Sequence, residues 1–133
     1  KDENLDAVFG SRFTKKSRVI DYPFKKLILN RIFNYIVQIL FLNKYNDYTN
    51  AFKIYNAKIL KNMVPFISES FNVFLEIPLK IISRKYSYEI ISINWYNRKL
   101  GAAKFNIKEL RAKYLFTLIY CFIEKVLLNK KIK

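Results

Sequence analysis

The sequence predicts an α/β fold with few strands, and three observations carry that reading. Short apolar, β-rich runs alternate with stretches of helical periodicity, in the order strand, helix, strand, helix, helix, strand, helix. The chain has 133 residues, 52% of them hydrophobic and 17% aromatic, which suits one compact domain rather than a disordered chain. Three short strands make a poor sheet alone, so they read as the second half of a larger one. Residues 1–133 are therefore expected to form a single partial domain.

The elements follow from local signals. Leu5-Asp6-Ala7-Val8-Phe9 reads as a strand ended by Gly10, and Ser11–Tyr22 as a polar, basic loop. Asp21 and Pro23 mark a helix start. From Phe24 to Leu42, Leu27, Ile28, Ile32, Ile36, Ile39 and Leu40 recur at helical spacing, with Asn30, Asn34 and Gln38 as a polar stripe. Asn43–Asn50 reads as a loop, Ala51–Tyr55 as a strand and Asn56–Met63 as a short helix. Pro65 breaks the chain. Asn72 is expected to cap a helix from Val73 to about Arg84, with a bend or early start at Pro78. Tyr88–Trp95 reads as a strand and Asn97–Lys104 as a basic loop. Asn106 and Glu109 resemble a capping box for a last helix, Ile107 to about Leu128. No repeat or flexible linker interrupts the chain.

Composition removes several chemistries. With no His there is no imidazole base and no His-based zinc site; a lone Cys121 excludes an internal disulfide and a multi-cysteine metal site. The formal net charge is +15. A polyanionic partner would account for it, but so does AT-rich coding, since Lys, Ile, Asn, Tyr and Phe crowd the chain and Lys far outnumbers Arg. The placement of the few arginines is thus more informative than the total. The best apolar stretch, Tyr114–Ile123, is closed by Glu124 and Lys125 and falls short of the roughly 20 residues that span a bilayer. No signal peptide is visible, and the opening Lys1-Asp2-Glu3-Asn4 reads like the middle of a protein.

Two glycines, Gly10 and Gly101, provide no Gly-rich phosphate loop, and no Asp-x-Asp pair offers a divalent-metal site. Asp47, in Tyr45-Asn46-Asp47-Tyr48-Thr49-Asn50, reads as a turn-forming residue. Glu76 sits among Phe74, Leu75, Ile77 and Pro78, either on an exposed helix face or placed there for a purpose. Two basic loops each follow a strand, where α/β folds bind ligands: Ser11-Arg12-Phe13, and Arg98-Lys99 with Gly101 and Lys104. They are either solvated charge runs or phosphate grips.

The runs Val8-Phe9-Gly10-Ser11-Arg12-Phe13, Tyr45–Lys53, Glu76-Ile77-Pro78-Leu79-Lys80 and Asn97–Phe105 together resemble family 2 glycosyltransferases, nearest the dolichol-phosphate mannosyltransferase and polyprenyl-phosphate branch. The resemblance spans Asp6 to about Leu128 and implies a GT-A-type, Rossmann-like fold of which this chain is the C-terminal half. It implies an inverting transfer from a nucleotide-sugar donor to a polyprenyl-phosphate or other lipid-linked acceptor. The Mg²⁺ or Mn²⁺ of such enzymes, and the nucleotide-binding strands, belong to an N-terminal half that this sequence lacks, so the fragment alone is expected to be inactive. By the same resemblance, Arg12 and Lys25 meet the acceptor phosphate, Arg98 and Lys104 close over the donor diphosphate, and Glu76 lies near the sugar and acceptor. Ala103 stands where relatives often have Ser before the loop lysine.

The chemistry is compatible with this. A phosphate acceptor is already an anionic nucleophile, so the transfer needs cations more than a strong base. The helices at 24–42 and 107–128, edged with Lys, either pack on the sheet or lie on an anionic membrane. Expected partners are thus the nucleotide-sugar, the lipid phosphate, a membrane surface, and a missing N-terminal half or oligomer partner. The expected location is cytoplasmic, peripheral on the cytoplasmic membrane face. The alternatives are a non-catalytic basic module that binds nucleic acid or anionic membrane, and an inactive truncated remnant. Aromatics among lysines could stack on bases, although most fall at core-like positions, so nucleic acid is not expected.

Overall fold

The computed structural model describes residues 4–99 and 107–131. Strand β1 (Ala7–Ser11) is the centre of a three-stranded mixed sheet. It pairs antiparallel with β3 (Lys53–Tyr55), Val8 opposite Ile54, and parallel with β4 (Tyr88–Ser92), Phe9 opposite Ile90. A second, parallel pair joins β2 (Val19–Ile20) to β5 (Trp95–Tyr96). The helices are α1 (Phe24–Phe41), α2 (Ala57–Asn62), α3 (Val73–Ser83) and α4 (Ile107–Lys131). The α/β class holds.

The core lies between one sheet face and the helices. Ala7 and Phe9 point into it, and the Phe9 ring packs 4.8 Å from both Tyr45 and Tyr88. Leu75, Leu79, Leu118 and Cys121 are buried where α3 meets α4. Helices α1 and α4 lie side by side in the same direction: Phe33 meets Tyr114, Phe41 meets Phe122, and Lys125 Nζ donates to Leu40 O at 2.9 Å.

Several expectations are corrected. Gly10 does not end β1, which runs on to Ser11. Gly10 is needed because Phe52 O lies 2.7 Å from where a Cβ would stand. The basic loop contains β2, and the run Tyr88–Trp95 divides at Ile93–Asn94 as the chain passes from one sheet to the other. Arg18 N donates to Asn94 Oδ1 and Trp95 N to Arg18 O across that passage. Asn72 stands at the N-cap position of α3, but its backbone is already helical and its side chain makes no capping bond; its Nδ2 donates to Thr117 Oγ1 at 3.0 Å. Pro78 sits inside α3 and cannot donate to Phe74 O; Lys53 Nζ supplies that carbonyl with a donor at 3.2 Å. Asn106 lies outside the described residues; Glu109 pairs with Lys113 at 2.9 Å.

The largest correction concerns α1. Its period is as expected, but the apolar stripe is not the face that packs. Asn34, Val37 and Phe41 are buried, whereas Ile28, Ile32, Ile36 and Ile39 are 41–71% exposed. The polar stripe is turned inward to hold the 43–50 loop. Asn30 Nδ2 donates to Thr49 Oγ1 at 3.0 Å, Asn34 Oδ1 accepts from Tyr48 N at 2.7 Å, and Gln38 Nε2 donates to Lys44 O at 3.3 Å. A loop rich in unpaired backbone groups needs such partners more than a sheet face needs another Ile.

Candidate anion site at the carboxyl ends of the strands

Strand β1 ends at Ser11 beside the end of β4, so the turn that follows stands at the carboxyl edge of the parallel strands. The 45–50 loop, held by the inner stripe of α1, fastens that turn. Ser11 Oγ donates to Asn46 Oδ1 at 2.5 Å, and Asn46 Nδ2 donates to Phe13 O at 3.0 Å. Asp47 takes three donors from Arg12: the backbone N–H at 2.9 Å, Nε at 2.8 Å and Nη2 at 2.7 Å. The Tyr45 hydroxyl sits between Gly10 O at 2.9 Å and Asp47 O at 2.5 Å, and Asn50 Nδ2 donates to Gly10 O at 3.0 Å.

Asp47 does open a turn, its carbonyl accepting from Asn50 N at 3.3 Å, but its carboxylate is fully buried and Arg12 is 8% exposed, so the side chain forms an interior ion pair. Burial disfavours the Arg12 cation, but the bond and charge of Asp47 more than offset it and hold its pKa above the ordinary value. Burial, with Asp47 next, pushes the Tyr45 phenol far above its usual range. Lys53 donates to Tyr48 O at 2.9 Å, to Phe74 O at 3.2 Å and to Asn50 O, tying β3, the loop and α3 together. Burial pulls its ammonium down to about 7, against the attraction of Asp47.

Arg31, on α1, completes the group. Its Nη1 donates to Asn46 O at 3.0 Å, and its guanidinium lies 4.2 Å from the Phe13 ring centre and 4.8 Å from that of Tyr35. Arg12 lies over the same Phe13 ring at 5.3 Å and 5.9 Å from the Tyr22 ring centre; Tyr22 in turn packs on Trp95 at 4.6 Å. The Phe13 ring thus meets two guanidiniums, of which Arg12 is paired with a carboxylate.

The other expected site residues are distributed differently. Lys25 is exposed at the start of α1, which follows β2. Arg98 and Lys99 are exposed just after β5, whose end pairs with that of β2 through Ile20 and Tyr96. Lys104 lies outside the described residues. Glu76 is fully buried in α3. Its oxygens accept from Ile67 N at 3.0 Å and Ser68 N at 2.8 Å, and Lys80 Nζ lies 2.7 Å away. In this arrangement Glu76 closes the 67–68 segment onto α3. Cys121 is buried, and burial pushes its thiol up to about 12.

Among the described residues, no group of three or more acidic or thiol side chains could hold a metal ion, and no helix is long and apolar enough to cross a membrane. No family model matches the chain, and no solved structure matches it significantly. The sequence assigns Arg31, Asn46 and Lys53 no site role, although Arg31 lies in the first helix and the other two in the Tyr45–Lys53 run. Asn46 and Asp47 meet the 11–13 turn across 35 positions, a pairing with no local signature.

Proposed function

We propose that this chain is the acceptor half of an inverting glycosyltransferase of the GT-A type, moving a sugar from a nucleotide-sugar to a polyprenyl or similar lipid phosphate. The observation that carries the reading is that cations follow the carboxyl ends of parallel strands in both sheets. Arg12 follows β1, Lys25 begins the helix after β2, and Arg98 follows β5. Such an edge is where α/β folds receive anionic ligands. The order of the four motifs that resemble family 2 glycosyltransferases supports the same reading.

The acceptor phosphate needs no base, only neutralisation and aim. Arg12, held rigid by Asp47, would supply aim, and the exposed Lys25 would supply charge. Arg98 and Lys104 neutralise the leaving diphosphate. Glu76 takes no step. The expected Mg²⁺ or Mn²⁺ has no fitting ligand set among the described residues.

The outward apolar stripe of α1 supports a membrane surface as partner, at the cytoplasmic face. Ile28, Ile32, Ile36 and Ile39 on α1, and Phe116, Ile119 and Ile123 on α4, are exposed on a strongly basic chain. This exposure also favours a second reading, a membrane-binding module without catalysis.

The test uses the polypeptide from its own cells, a radiolabelled nucleotide-sugar and polyprenyl monophosphate in vesicles. Arg98→Ala should lower transfer about 100-fold or more while far-UV circular dichroism is unchanged. Near-normal turnover would remove Arg98 from the mechanism. Absence of transfer from every nucleotide-sugar, with vesicle binding retained, would replace this reading with the second.

A further inference from the structure

The three-stranded sheet has a second face, turned away from the helices. Ala7 and Phe9 point into the core, so Val8 and Gly10 point outward. The register places Ile54, Glu89 and Ile91 on the side of Val8 and Gly10. Phe52 and Ile93 join them, since a Cβ on Gly10 would stand 3.0 Å from Phe52 Cδ1 and 3.1 Å from Ile93 Cδ1. Phe52 and Ile54 are 57% and 64% exposed. At the start of β1, Leu5, Val8 and Ile54 help to line a hollow of about 220 Å³.

A strand with one face in water alternates apolar and polar residues, whereas a strand covered on both faces reads as a continuous apolar run. Ala7-Val8-Phe9 and Ile90-Ile91 are such runs, and Ile54 opposes Val8 with another apolar side chain. The β1–β4 pair is also parallel, the pairing that helices cover on both sides. We propose that the outer face seats an amphipathic helix from the N-terminal half of the proposed transferase. The inference rests on the reading of this chain as one half of a larger domain, and it adds the surface on which the other half closes.

The size of the face selects this occupant over a second copy. Three strands about 4.8 Å apart, with five residues of about 3.3 Å each in β1, span roughly 14 by 17 Å. That is the footprint of one helix about 10 Å across and two to three turns long. A stable interface between separate molecules needs about 800 Å² from each partner, and this face supplies less than about half of that. A helix tethered in the same domain needs less, because the tether replaces the cost of bringing two molecules together. The helix presents apolar side chains to Phe52 and Ile54, and a basic or neutral donor to Glu89, which is exposed on the β4 side of the face.

The test is cysteine labelling of the full polypeptide, produced in its own cells and read at each position by peptide mass. Ile54→Cys should react with N-ethylmaleimide at least about 100-fold more slowly than Lys58→Cys, exposed on α2, because a covered thiol is reached only through local opening. If Ile54→Cys fails to fold, Phe52→Cys decides in the same way. A rate within about threefold of the control overturns the inference. A photo-crosslinking phenylalanine analogue at position 52 should join the face to a segment of the same polypeptide; a crosslink to a second copy or to another protein overturns the inference. Sugar transfer with position 54 unprotected removes the covering helix and leaves the transferase reading intact. Protection and an internal crosslink, without transfer from any nucleotide-sugar, uphold the covering helix and remove the transferase reading.

Discussion

Asp47→Asn is the sharpest test of how the site is built. The asparagine retains the shape but removes the charge, and its amide offers one acceptor oxygen where the carboxylate offered two. Arg12 then stays buried with its Nε and Nη2 donors poorly met. Removing one partner of a buried ion pair costs about 3–5 kcal/mol, because the remaining charge is stranded. The cost applies here because Asp47 is fully enclosed, Arg12 nearly so, and three donors converge on one carboxylate. For a domain of this size, 1 kcal/mol corresponds to about 3–5 °C, so melting should fall by about 10–20 °C. Urea unfolding followed by Trp95 fluorescence measures it, with an unchanged m-value as the check for two-state behaviour. Glu124→Gln is the internal control. Its pair with Arg84, at 2.8 Å, is partly exposed on both sides and should contribute less than about 1 kcal/mol. The double variant Arg12→Met, Asp47→Leu should recover a large part of the loss, since no charge is then stranded. A loss below about 1 kcal/mol in Asp47→Asn, or no recovery in the double variant, would refute the reasoning.

Two further outcomes are expected. Burial raises the Glu76 pKa, but the Lys80, Ser68 and Ile67 contacts outweigh it and hold the carboxyl below its ordinary value of 4.5. Below that pH the unfolded chain takes up the proton first, so stability is lost as the pH falls toward the folded pKa. Urea midpoints between pH 3 and 6 should show this drop in wild type and a flatter profile in Glu76→Gln; identical profiles would mean that Glu76 is not the group responsible. On the outer stripe of α1, Ile32→Glu with Ile36→Glu should weaken sedimentation with anionic vesicles about tenfold or more, since two half-exposed side chains no longer enter the lipid. The melting temperature should stay within a few degrees; a large fall would show that the stripe is covered by protein instead.

Most element positions were legible in the residues. The period of α1, the span of α4, the strand residues at Ala7–Phe9 and Tyr88–Ser92, and the short helix after Asn56 rest on local preferences. Asn56 indeed caps α2 by accepting from Lys58 N at 2.9 Å. A helix or strand signal is a matter of neighbours three, four or two positions apart, and those neighbours are in the sequence. The cations after the strands were legible too, since an arginine behind a strand end needs no partner to be noticed.

What the tertiary structure alone decided is which way these elements turn and what meets what. The α1 period announces an apolar stripe and a polar one, but periodicity carries no sign. The loop at 43–50, in need of hydrogen bonds, drew Asn30, Asn34 and Gln38 inward and left the isoleucines outside. Pro78 reads as a helix breaker until Lys53, from β3, supplies the donor that Phe74 O lacks. Asp47 reads as a turn residue until the fold brings Arg12 to it from 35 positions away. Glu76, open to either reading, is enclosed by segment 67–68 and Lys80. In each case the deciding partner is distant in the chain, and only chain closure, which balances hydrogen-bond satisfaction against apolar burial over the whole molecule, selects it.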